Sequence, residues 1–168
     1  MKLTTEILSK FYGEYEIKIV EQNSNFRFVE IFSDNSLQLI AFSFFPKYKN
    51  GILLSAKRAI YKGASIGETG KKYFDTSKKY LIDEGFLFVG PRLKKKLKND
   101  DRNSLYRLFE MWAVIDKEQI LFCEILEIYS KEYVNKHIRT KKGSNNKKIV
   151  HSELLTFLKK HQIVIKTD

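Results

Sequence analysis

A chain of 168 residues, 43% hydrophobic and 14% aromatic, is long enough to bury its own core and too apolar to be a disordered polyelectrolyte, despite a formal net charge of +11. Its one cysteine, Cys123, excludes an internal disulfide and suits a reducing compartment, and no run approaches the roughly 18 apolar residues of a membrane-spanning helix. The first residues, Met1-Lys2-Leu3-Thr4-Thr5-Glu6, place an acid where a leader peptide needs an apolar run, so the expected location is cytoplasmic.

In chain order, Thr4 or Thr5 is expected to cap a short helix that runs to Phe11 and stops at Gly13. Tyr15 to Glu21 alternates as a strand, and Asn23-Ser24-Asn25 is a turn. Phe26–Ser33 and Leu37–Phe45 form a hairpin around Asp34-Asn35-Ser36, ended by Pro46. Ile52 to Tyr61 is open between helix and strand. Glu68 to Phe74 opens a helix after the turn between Gly63 and Gly67. Asp75-Thr76-Ser77 caps a helix over Lys78–Glu84, and Phe86–Val89 is a short strand. The basic run after Gly90-Pro91 is a loop or frayed helix.

Leu105–Ile115 and Ile120–Tyr129 make a second hairpin, and Lys131–Arg139 is helical. Lys141–Lys148 is a flexible linker, and Ser152 caps a helix bearing Leu154, Leu155 and Leu158. The expected organisation is one α+β domain over residues 1–140, an antiparallel β-sheet with helices packed on one face, then a basic linker and short helix over 141–168.

Charges on apolar strand faces are the candidate chemistry. With the second hairpin's turn at Lys117-Glu118, Ile115 faces Ile120 and Met111 faces Glu124, which puts Arg107 and Glu124 on one apolar face. A carboxylate there must be paired, hydrogen-bonded or protonated. The pair is either a site acid with an anion anchor or a structural ion pair. In the first hairpin one face carries Arg27, Val29 and Ile31 against Leu39, Ala41 and Ser43. The sequence holds no phosphate-binding loop and no cluster of metal ligands, so no cofactor or metal is expected.

Three stretches resemble the chorismate lyase family and the related UTRA-type effector-binding domains of transcription regulators. They are Val29-Glu30-Ile31 with Ile40-Ala41-Phe42-Ser43-Phe44-Phe45-Pro46, the turn Ser65-Ile66-Gly67, and Tyr106-Arg107 followed by Cys123-Glu124-Ile125-Leu126. The chain departs from the family at Ala41-Phe42-Ser43, where the classical enzymes carry an Arg, and at Ser65, where they carry a Pro. The resemblance implies a buried pocket for a small anionic, aromatic ligand, with elimination of pyruvate from chorismate as the corresponding activity. Glu124 would be the catalytic acid, Arg107, Arg58 and Arg27 the carboxylate anchors, and Ser43, Ile66 and Gly67 the rest of the substrate-binding set.

The alternative expectation is a nucleic-acid-binding protein. Its phosphate contacts would be Arg92, Lys94, Lys95, Lys96 and Lys98, with Lys141 and Lys142 in the second basic region. Oligomeric state is left open.

Overall fold

The structure, a computed structural model, describes residues 3–100, 103–139 and 152–164. Helix α1 (Thr4–Tyr12) leads into strands β1 (Glu16–Gln22), β2 (Phe26–Ser33) and β3 (Ser36–Phe44). Helices α2 (Gly51–Tyr61) and α3 (Ile66–Tyr73) follow, then the long strand β4 (Thr76–Val89) and the short helix α4 (Pro91–Leu97). Strands β5 (Asn103–Ile115) and β6 (Glu118–Tyr129) precede α5 (Lys131–His137), α6 (Ser152–Lys160) and β7 (Ile163–Val164). The strands form one antiparallel sheet in the order β1-β2-β3-β6-β5-β4-β7. The fold is α+β, as expected.

Helices α1, α2 and α5 pack on one face of the sheet, through Leu8, through Leu53, Ala56 and Ile60, and through Tyr133, with Ile66 and Tyr73 of α3 at the margin. The spacing of Leu53, Ala56 and Ile60 puts them on one side of a helix, and the Asn50 side chain caps it by accepting from the Ile52 and Leu53 amides. That settles the segment left open between helix and strand. The other face carries a second core. Leu93 and Leu97 of α4, Phe157 and Leu158 of α6, and Ile163 pack there against Phe28, Phe42 and Leu126. Phe28 and Phe42 stack at 4.3 Å between ring centroids. Both faces being covered explains why β2 and β3 read as nearly unbroken apolar runs.

Three expectations fail, each for a physical reason. The helix over Lys78–Glu84 does not form. That segment is the middle of β4, hydrogen-bonded along its length to β5. Its period-2 pattern is hidden because an irregularity at Leu81/Asp83 swaps which residues face which core. The Thr4 hydroxyl does not cap α1, because it donates to Glu127 across the fold. The Leu3 amide is met instead by the Glu6 carboxylate.

The turn of the second hairpin also lies one residue earlier than expected. It is Asp116-Lys117, both with positive φ (51° and 69°), so Ile115 pairs with Glu118. A bulge then places Met111 opposite Cys123 and Trp112 opposite Leu121, and the net register differs by one residue at Glu124. Glu124 therefore lies opposite Glu110 and Phe44, not on the face of Arg107. The linker at 141–148, with Lys141 and Lys142, and the side chains of Leu154 and Leu155 lie outside the described residues.

Candidate functional site

The first hairpin has the expected register. Arg27 pairs with Ser43, Val29 with Ala41 and Ile31 with Leu39, all turned toward the face that carries α1 and α3. Between this face and the two helices lies a recess of about 50 Å³. Its aliphatic walls come from the strands, through Val29, Ile31, Ala41 and Ile125, and from Ile66 at the start of α3. Ser65 caps α3 by accepting from the Glu68 amide at 3.1 Å, and so holds the helix start over the sheet. Gly67 follows because a Cβ there would come within 2.6 Å of the Leu3 side chain. The absence of one lets α1 close on the recess.

Arg27 dominates the recess. The residue is 2% exposed, yet only one of its guanidinium nitrogens has an acceptor. Nη1 donates to the Ala64 carbonyl at 3.3 Å, while Nε and Nη2 are buried with no hydrogen-bond partner. Leaving a buried charged donor unmet is costly. Burial pulls the Arg27 pKa down from 12.5 to about 10, so the group is still a cation at neutral pH. The neighbouring Tyr61 hydroxyl is pushed up to about 12 by burial and the buried Cys123 thiol also upward, so neither supplies a counter-ion at neutral pH.

The carboxylate of the recess is Glu127, 5% exposed. It is fully engaged. Thr4 donates to it at 2.8 Å, Tyr129 donates to it, and Lys79 lies 3.5 Å away. The Lys79 side chain is 5% exposed and its ammonium sits 3.7 Å from the Phe109 ring centroid, a cation–π contact. Arg27, Lys79 and Glu127 are the charged side chains lining the recess, so two cations face one carboxylate. One buried positive charge is left over, and the two free donors are on Arg27.

Of the residues expected to form a site, Arg27, Ser43, Ile66 and Gly67 meet in this recess. Arg107 does not line it and instead pairs with Glu84 on β4. Arg58 is on the exposed side of α2. Glu124 is half-buried on the opposite face of its strand. Glu127 and Lys79 were missed. The single-residue register slip hides the first, and the second falls in the segment expected to be the helix Lys78–Glu84.

The basic run is an ordered helical turn. Leu93 and Leu97 of α4 point inward while Arg92, Lys95, Lys96 and Lys98 are exposed and Lys94 is half-buried. Lys96 is tied to the buried carboxylate of Glu30 at 2.5 Å. Among the described residues no group of acids, histidines and cysteines is placed to hold a metal, and no helix is long and apolar enough to cross a membrane.

No family model and no curated protein matches the chain. Among solved structures it is similar to the ligand-binding domain of a putative GntR-family transcriptional regulator from Bordetella bronchiseptica. The identity is 12% and the TM-score 0.46, covering 79% of this chain and 90% of that one. At that distance the likeness says nothing about what this chain binds.

Proposed function

We propose that the protein binds a small anionic molecule, with the anion held as a carboxylate against Arg27. The observation that supports this is the pair of unmet donors, Nε and Nη2, on a guanidinium buried in a recess that already carries an excess cation. Those two nitrogens form one edge of the guanidinium fork, the geometry that grips a carboxylate through two parallel hydrogen bonds. Ser43 and Ser65 line the recess beside it, and the low polarity of the aliphatic walls strengthens an ionic contact made there.

Binding without chemistry is the reading favoured here. The resemblance assigned proton donation to Glu124, whose strand position turns it away from the recess, and Glu127 is already committed to Lys79, Thr4 and Tyr129. The test is calorimetry with small carboxylates on the wild type and on Arg27→Met. A carboxylate should bind the wild type and lose at least about 100-fold in affinity in the variant, since two charge-assisted hydrogen bonds are removed. Equal affinities in the two proteins would overturn the reading.

A further inference from the structure

We infer that the recess is the inner end of a longer site, and that its occupant is an elongated monoanion whose carboxylate meets Arg27 and whose neutral body runs past Lys79 into the cleft between α3 and β4. This rests on the anion-binding reading above.

Size comes first. A water molecule occupies about 30 Å³ of liquid, so a recess of about 50 Å³ has room for little beyond the carboxylate itself. The recess is not closed. It shares Leu3, Gly67 and Lys79 with a neighbouring cleft of about 650 Å³, within the usual span of small-molecule sites. Lys79 thus stands at the junction, with its ammonium held between Glu127 and the Phe109 ring.

Charge then restricts the body of the ligand. Apart from Lys79, which answers Glu127, the charged residues of the cleft are Lys71 and Lys78 against Glu6 and Asp75. Lys71 pairs with Glu6 at 2.6 Å, and Asp75 accepts from the Asp116 amide. The cleft is therefore electrically balanced, whereas the recess is not. A second anionic group on the ligand would find no net positive charge there, and Lys78 is exposed and directed to the Gln119 side chain.

Finally, the cleft has its own unmet polar group. Ser77 Oγ is buried without a hydrogen-bond partner, beside the apolar surfaces of Phe74 and Met111. It lies tight against Gly70, where a Cβ would sit 2.6 Å from Ser77 Oγ and 2.8 Å from Met111 Cε. An apolar body bearing one hydroxyl or carbonyl fits a floor of that composition. The class of ligand is thus a monocarboxylic acid with an apolar body and a single hydrogen-bonding group along it.

The experiment is calorimetry and thermal shift on the full chain with formate, acetate, hexanoate, octanoate, a set of hydroxyhexanoates and hexanedioate, repeated on Ser77→Ala. Affinity should rise from formate to octanoate by roughly fourfold for each methylene that enters the cleft. At least one hydroxyhexanoate should bind more tightly than hexanoate, and Ser77→Ala should erase that advantage while leaving formate unchanged. If formate binds but longer acids bind no better, the cleft is not part of the site and the recess reading survives alone. Tighter binding of hexanedioate than of hexanoate would overturn the monoanion. If no member of the series binds, the anion reading falls and this inference with it.

Discussion

On the sheet face that carries α4 and α6, buried carboxylates are answered by the fold. Glu30, 3% exposed, is met by Lys96, and Asp83 accepts from the Tyr106 hydroxyl at 2.6 Å and from the Glu84 amide at 2.9 Å. On the face that carries α1 and α3, Glu127 is answered as fully, by Thr4, Tyr129 and Lys79, but Arg27 is not. Both faces bury charge. One uses it to fix the packing of its own elements, and the other leaves a cation with two unmet donors at the wall of a recess. The contrast teaches that burial of a charge is by itself no sign of function, and that an unmet demand for a partner is the feature to follow.

Answered and unanswered charges should respond to mutation with opposite signs. The largest effect is expected for Glu127→Leu. It strands Lys79 beside Arg27 and should destabilise the protein by about 3–5 kcal/mol in denaturant unfolding. Arg27→Met comes next, in the other direction. A guanidinium pKa pulled from 12.5 to about 10 means that keeping the cation buried costs roughly 3 kcal/mol at neutral pH. Removing it should therefore raise the melting temperature while removing anion binding, the pattern of a residue kept for function at the expense of stability. Asp83→Ala, on the filled face, should destabilise by about 1–3 kcal/mol, because it removes the carboxylate that accepts from the buried Tyr106 hydroxyl and the Glu84 amide. Smallest is Lys71→Ala, which breaks an exposed pair with Glu6 and should cost under about 1 kcal/mol.

The pH dependence sharpens the same contrast. Because Arg27 has a lowered pKa in the folded state, its charge opposes folding below about pH 10, and that penalty is relieved as pH rises from about 10 toward 12.5. Anion binding needs the charge, so the thermal shift given by a carboxylate should hold from pH 7 to 9 and fade above about pH 10. A shift that fades between pH 5 and 7 instead would point to a different group.

The first hairpin was legible in the sequence because Asp34-Asn35 dictates a tight turn, and both residues indeed take positive φ. An irregularity between Ile31 and Phe32 then offsets the pairing by one residue, which is the register that a three-residue turn at Asp34-Asn35-Ser36 predicts, so the expected face, Arg27-Val29-Ile31 against Ser43-Ala41-Leu39, is the one observed. The second hairpin was legible in kind only. Asp116-Lys117 has no glycine or asparagine to announce its positive φ values, and the bulge at Phe122 and Cys123 has no sequence mark. Together they moved the recess acid from Glu124 to Glu127. β4 was lost because Lys79 is a buried lysine and the irregularity near Ile82 breaks the alternation, so local pattern gave way to tertiary pairing. The second core depends on α6, whose contacts with Phe26 and Phe42 span more than a hundred residues and leave no local trace.

The central claim is that Arg27 waits for an anion, and its side chain can be observed directly. In a nitrogen–proton NMR spectrum the Nε–H signal of Arg27 is identified by its absence in Arg27→Met. Titrating formate into the wild type should shift that signal downfield in a saturable way and slow its exchange with water. A signal that does not move, or that is already as protected before any anion is added, would contradict the account.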